Sequence, residues 1–148
     1  MAAITAMQCL MGTNFLFRYG TREMYDTYFL PAMRGEKVAS FCLTEPEAGS
    51  DLGNVSTTAK RTADGYVCNG MKTWVTNGPV ADFYTVLCQT DPVKKLKGLN
   101  FFFIPRDAPG LSVSKPFALL GTRTTKISEL AFNNVRIPLE HQLGADGK

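Results

Sequence analysis

At Lys37 the rhythm of the sequence changes, and that change restricts the folds open to this chain more than any other feature. Upstream, Ile4, Met7, Leu10, Met11 and Phe15 recur at spacings of three and four, which puts them on one face of a helix. Gly20 ends that segment, and Thr21, with Glu23 in the following turn, starts a second helix striped by Met24, Tyr25, Tyr28 and Phe29. Pro31 is expected to break or restart it, and Arg34-Gly35-Glu36 to close it. Downstream the period becomes two, and β-branched and aromatic residues rise. Strands are predicted over residues 38–43, 55–61, 66–69, 72–76, 83–89, 99–104, 111–114, 127–132 and 135–137. Asp64-Gly65 reads as a hairpin turn, Gly70 as a bulge or tight bend, and Asn77-Gly78-Pro79 as a turn. The stretch 91–98, with Lys94, Lys95 and Lys97, reads as a solvated loop.

Short strands separated by a turn every 8–12 residues or so point to an antiparallel sandwich or barrel. Nothing alternates strand with helix, which excludes a Rossmann-type sheet. The expected fold is therefore α+β: a short N-terminal helical segment (1–36) followed by an antiparallel β-barrel or sandwich domain (37–148).

With 45% hydrophobic and 20% charged residues, the 148-residue chain can bury a core. A net charge of +3 is too small to imply nucleic acid binding. Cys9, Cys42, Cys68 and Cys88 lie far apart, with His141 the single histidine, so neither a zinc module nor a disulfide scaffold is expected. Reduced thiols and an intracellular setting follow. Residues 1–17 carry no charged side chain, yet Gln8, Gly12, Thr13 and Asn14 interrupt them. They fall short of the ~20 apolar residues of a membrane span, and no basic residue precedes them as in a secretory signal. A helix this apolar is one that protein covers.

Two constellations could carry chemistry. Thr44-Glu45-Pro46-Glu47-Ala48-Gly49-Ser50-Asp51 packs hydroxyls, a glycine and three carboxylates behind a strand. It is either an acidic turn in which Asp51 caps the next element, or a loop rigid at Pro46 that lets a ligand approach at Gly49. In Met71-Lys72-Thr73-Trp74-Val75-Thr76-Asn77-Gly78, strand alternation puts Trp74 and Thr76 on one face. An aromatic plane beside a hydroxyl suits the wall of a planar heterocycle; equally, a lone tryptophan can pack in the core. Other features are plainer. His141 reads as a surface histidine, Arg106-Asp107 as a solvated pair in a Pro-bounded turn, and Phe101-Phe102-Phe103 as core. Arg123 and Lys126, among Thr122, Thr124 and Thr125, form a donor-rich polar turn.

Read in order, residues 41–51 and 69–78 closely resemble the paired signatures of the acyl-CoA dehydrogenase family. Pro109-Gly110-Leu111, Leu120-Gly121-Thr122-Arg123 and Phe132-Asn133-Asn134-Val135-Arg136-Ile137-Pro138 follow in matching order. Residues 1–36 resemble the end of the family's N-terminal helical domain and 37–148 its middle β-domain. The resemblance implies FAD-dependent oxidation of an acyl thioester across Cα–Cβ, with hydride passing to flavin N5. It implies that Phe41, Leu43 and Thr44 line the isoalloxazine ring, that Trp74 packs against it and that Thr76 bonds near N5. Gly49 and Ser50 would meet the thioester and pantetheine.

The same resemblance puts the α-proton on a carboxylate of the family's C-terminal helical domain, expected beyond Lys148, so none of Glu45, Glu47, Glu129 and Glu140 is assigned as the base. Glu47 stands where the family often has a smaller residue, and Thr125-Lys126-Ile127 replaces a Ser-Asp-Thr-like sequence. The implied partners are an acyl-CoA or acyl carrier protein thioester, an electron-accepting flavoprotein and further copies of the chain. The implied location is the cytoplasm, or the mitochondrial matrix in a eukaryote. An acyl-CoA oxidase fragment and a non-catalytic binding or assembly module remain as alternatives.

Overall fold

A computed structural model describes residues 11–121 and 124–144. Most of the first predicted helix, Cys9, Thr122 and Arg123 lie outside the described residues.

Asn14–Tyr19 is helical and stops at Gly20, whose N–H donates to Leu16 O at 2.9 Å. A Cβ on Gly20 would meet that carbonyl at 2.5 Å, so the turn requires glycine. Thr21 caps the next helix by accepting from Met24 N at 3.2 Å. The chain then stays helical through Arg22–Met24, a π-helical turn at Tyr25–Phe29 and Leu30–Met33. Pro31 does not break it but sits in the first turn of the renewed α-helix, a restart as expected. In the widened turn before the ring, Leu30 N–H reaches back to Tyr25 O, which relieves the clash a proline makes inside an α-helix. Gly35, at φ 77°, ends the helix as expected, with Glu36 N donating to Pro31 O at 2.9 Å.

Among the described residues eight strands follow: β1 (Ala39–Cys42), β2 (Thr58–Arg61), β3 (Gly65–Thr76), β4 (Phe83–Gln89), β5 (Leu99–Pro105), β6 (Leu111–Val113), β7 (Ile127–Pro138) and β8 (Gln142–Leu143). They form one sheet in the order β6-β7-β3-β2-β4-β5-β8, with β1 beside β4. The strands predicted on either side of Gly70 are one strand, as are those at 127–132 and 135–137. Each long strand absorbs its irregularity instead of ending there. The β3–β7 ladder skips between Cys68 and Gly70, while Asn134, at φ 53°, donates from its backbone N–H to Asn69 Oδ1 at 2.9 Å. Most pairs are antiparallel, and the α+β class holds. The exceptions are β1, parallel to β4, and a parallel bridge from Thr58 to Gln89. Long connections separate both pairs, so parallel pairing is open to them.

Tyr66, Cys68 and Val75 of β3 and Leu130 and Phe132 of β7 share one core with Tyr84, Val86, Phe102 and Ile104 of β4 and β5. The helical segment docks on the opposite face of β1, β4 and β5, where Leu16, Met24 and Ala32 meet Ala39, Phe83, Phe103 and Leu143. That cover explains why every residue of β4 is buried. A third cluster, Ala48, Val55 and Leu87, lies under the loop that follows β1.

Two residues read as solvent-facing make contacts beyond that reading, although Arg106 stays exposed and His141 is half-buried. Arg106 does not pair with Asp107 in water: its Nη1 donates to Gly78 O, Ala81 O and Tyr84 Oη at 3.2–3.3 Å, tying two turns together. His141 packs edge-on against Phe103, ring centroids 5.1 Å apart, and burial lowers its pKa from 6.5. Cys42, Cys68 and Cys88 are buried free thiols. Burial pushes Cys42 up to about 12, which leaves it unreactive. Among the described residues no helix is long and apolar enough to cross a membrane, and no group of three His, Cys, Asp or Glu could hold a metal ion.

Candidate functional site

Residues 39–45 run alongside residues 72–77. Ser40 Oγ donates to Thr76 O at 2.6 Å, Thr73 N to Thr44 O at 2.8 Å and Lys72 Nζ to Leu43 O at 3.0 Å. Asn77 Nδ2 reaches Ala39 O at 3.4 Å. The two sequence constellations are thus neighbours in space, joined by one backbone bond and by side-chain donors onto backbone carbonyls.

At Trp74 the strand departs from regular geometry. The β3–β7 ladder slips between Lys72 and Val75, and Trp74 takes φ 56°, a left-handed conformation that costs a bulky residue about 1–3 kcal/mol. The slip releases Thr73 N–H to bond Thr44 and turns the indole outward. Trp74 is 59% exposed, whereas Val75 next to it is buried. Of the two readings of Trp74, packing in the core is excluded. Its ring lies against Phe117, at 4.8 Å between centroids. Phe117 also lines a cavity of about 390 Å³ with Pro116, Ala118, Leu119, Thr125 and Lys126. Strain spent on exposing the only tryptophan is a feature of sites that a ligand completes.

The other candidate residues are distributed around this point. Phe41 is half-buried, its ring stacked on Phe15 and Phe101 at 5.6 and 5.4 Å, so the helical segment engages it. Leu43 packs against the Ala48–Val55–Leu87 cluster. Thr44 and Thr76 are half-buried beside Trp74 in the chain trace, and Gly49 and Ser50 are exposed at the loop's tip. A Cβ built on Gly49 would meet nothing within 4 Å, so space is open there.

Sequence reasoning missed what holds these segments together. Glu45, read as one of three carboxylates in an acidic loop, is buried in an ion pair with Lys72, 2.7 Å apart with side chains 1% and 0% exposed. Its Oε1 also accepts from Thr57 N at 3.0 Å, and its Oε2 from Ser56 N and Ser56 Oγ, both at 2.7 Å. Burial pushes this carboxyl up, but hydrogen bonds from Lys72, Thr57 and Ser56 outweigh it and hold the group at about 2. No sequence signal marks the pair, because strand alternation puts Lys72 on the same side as Trp74 and only the register slip after Lys72 sends the lysine into the core. Asp51 does cap the following turn, accepting from Gly53 N at 3.0 Å and Asn54 Nδ2 at 2.8 Å.

The same turn borders a cavity of about 430 Å³ lined by Asp51, Gly53, Asn54 and residues 94–97. Of its three lysines, Lys94 pairs with Asp91 at 3.2 Å. Lys95 and Lys97, both exposed, make no ion pair among the described residues and line this cavity a few residues from Ser50.

Known proteins supply a context for this geometry. Residues 40–135 match the family model described as acyl-CoA dehydrogenase, middle domain. The benzylmalonyl-CoA dehydrogenase of Aromatoleum aromaticum is 42% identical over 146 residues, covering 99% of this chain and 38% of that protein. The chain thus spans under two fifths of that relative's length. Among solved structures, an FAD complex of PigA superimposes with a TM-score of 0.92 at 31% identity, over 97% of this chain and 38% of that one. The prolyl acyl carrier protein oxidase AnaB gives 0.85 at 39% identity, over 90% and 35%.

Proposed function

This chain belongs to the acyl-CoA dehydrogenase family as its middle domain, and on that premise we propose that it forms the flavin- and thioester-facing wall of an FAD-dependent enzyme that oxidises acyl thioesters between Cα and Cβ. The observation that carries the reading is Trp74: strained, outward-facing, and bonded through its neighbour Thr73 to the loop that bears Thr44. A flat, largely apolar ring with polar edges fits a donor set of one exposed indole and two half-buried hydroxyls. When bound, FAD supplies the acceptor for the hydride leaving the β-carbon.

The chain's own residues bind, orient and exclude water. Trp74 offers an aromatic face and shields one side of the ring. Thr44 and Thr76 offer hydroxyl donors to its polar edge, and Phe41 and Leu43 back that wall. Gly49 leaves room for the thioester, with Ser50 as a donor beside it. Lys95 and Lys97 face the phosphate end of the carrier, CoA or a phosphopantetheine arm. Glu45 is not the base that takes the α-proton. Its carboxylate, held at about 2, is a weak base already committed to Lys72, and the family resemblance assigns that proton to a carboxylate of another domain. An electron-accepting flavoprotein and further copies of the chain are the partners this reading implies.

The similarity to AnaB favours one variant reading, a carrier-protein thioester with oxygen as acceptor. Two measurements on the intact gene product test both readings. Acyl-CoA added without oxygen should bleach the visible absorbance of bound FAD, and comparison of oxygen with an artificial acceptor assigns the oxidant. Trp74→Ala should weaken FAD binding about tenfold, as loss of an aromatic contact of about 1.5 kcal/mol would. Purified protein that retains no FAD, or an unchanged FAD dissociation constant in Trp74→Ala, overturns the assignment.

A further inference from the structure

We propose that the buried Glu45–Lys72 pair is the positioning device of the flavin-facing wall, setting the outward aim of Trp74 and its distance from Thr44. The proposal rests on the function proposed above for Trp74 and Thr44. It starts from a question of register. A strand that slips by one residue moves every side chain to the other face, and β3 gives up its partner strand between Lys72 and Val75, just where the indole must be aimed. Something other than the β7 ladder has to hold residues 73–74.

Lys72 is the last ladder residue before that gap. Its ammonium donates at once to Leu43 O at 3.0 Å and Glu45 Oε1 at 2.7 Å, on either side of Thr44. Thr73 N–H, freed from β7, closes onto Thr44 O at 2.8 Å. Glu45 in turn is fixed by Ser56 and Thr57, and its backbone exchanges hydrogen bonds with Ala48 at 2.9 and 3.3 Å. The chain from Leu43 to Ala48 is therefore anchored to the lysine two positions before the indole. A point charge donating in two directions admits one arrangement of these strands, where an apolar pair would tolerate several.

Stability is a poor explanation of this pair. Desolvating two charges is costly, and well-packed apolar replacements of buried ion pairs are often neutral or stabilising. What such a replacement loses is directional fixing. Trp74, the only tryptophan, reports on it without any cofactor.

Two variants of the chain test the proposal: the apolar double variant Glu45→Leu/Lys72→Met, and Lys72→Arg, which keeps the charge on a wide planar fork. Unfolding midpoint, quenching of Trp74 emission by acrylamide and FAD affinity are measured for each. The expected result is a folded double variant with a near-native midpoint, clearly altered quenching, and FAD affinity about tenfold lower, equivalent to about 1.4 kcal/mol. Lys72→Arg should restore part of both signals. Native quenching and affinity in the folded double variant overturn the proposal. If the double variant does not fold, Lys72→Arg decides: altered quenching in a folded chain supports positioning, and native quenching refutes it. If neither folds, the pair is a folding requirement and the positioning role is overturned. Because quenching needs no flavin, failure of wild type to bind FAD would defeat the functional reading without touching this outcome.

Discussion

Residues 44–51 and 91–98 are two charged connections between strands, and they treat their charge in opposite ways. The first holds three carboxylates and sends one, Glu45, into the interior against Lys72. The second holds three lysines and keeps them in water, its single ion pair, Asp91 with Lys94, lying open to solvent. Both are ordered. Gln89 Nε2 donates to Lys95 O at 3.1 Å and Thr90 Oγ1 to Gly98 O at 2.9 Å, fixing the lysine loop as Ser56 and Thr57 fix Glu45. The difference lies in what each loop crosses. The acidic loop passes over the end of a strand that points a lysine inward, whereas the basic loop caps β4 and β5 and meets no buried counter-charge. Charge content describes a loop's composition, and only its partner decides its burial.

The largest effect should come from breaking the buried pair on one side. Lys72→Met leaves the Glu45 carboxylate buried without compensation and should cost about 3–5 kcal/mol in denaturant unfolding. Lys95→Met should stay within about 0.5 kcal/mol, as surface changes do. Equal losses in the two would erase the contrast between the loops.

Acid should expose the same asymmetry. The Glu45 carboxyl ionises at about 2 in the folded chain against an ordinary 4.5. Its contribution is fully present above 4.5 and is lost as pH falls toward 2, on the order of 3 kcal/mol in all. A Glu45→Gln/Lys72→Met chain should lack that acid-induced loss in a pH series of unfolding midpoints.

A smaller effect is expected on the basic side. Lys95→Gln/Lys97→Gln should raise KM for a CoA thioester several-fold at low salt and little at high salt, since exposed ion pairs contribute about 0.2–1 kcal/mol each and are screened. An unchanged KM at low ionic strength would remove these lysines from the carrier's path.

The smallest concerns His141, outside both loops. Burial lowers its pKa below 6.5, so the unfolded chain takes up the proton first and stability declines as pH drops through 6.5 toward the folded value. His141→Gln should flatten that slope, read from unfolding midpoints above and below 6.5.

How much was legible beforehand depended on distance along the chain. The hairpin at Asp64-Gly65, the cap at Thr21, the bulge at Gly70 and the turn at Asn77 are set by neighbours a few residues away, and the sequence reading found them. Pro31 restarts the helix, one of its two expected effects, but the π-helical turn before it is a local alternative that composition does not announce. The hydrogen bonds of exposed Arg106 and the half-burial of His141 are not legible because their partners, Gly78, Ala81 and Tyr84 in one case and Phe103 in the other, come from other elements. Trp74 stayed ambiguous for the same reason: strand alternation gives a side but not which side is covered.

The order of the residues alone determined that a helical stretch precedes a β-rich unit, where its turns fall and which two segments carry unusual chemistry. These follow from backbone preferences and side-chain periodicity, which act within a few residues. The tertiary structure decided that β1 lies parallel to β4, that the helical segment seals the outer face of β4, that Trp74 faces outward and that Glu45 is buried on Lys72. Each of these depends on which distant surfaces meet, because desolvation and ion pairing are properties of a contact and not of either residue alone.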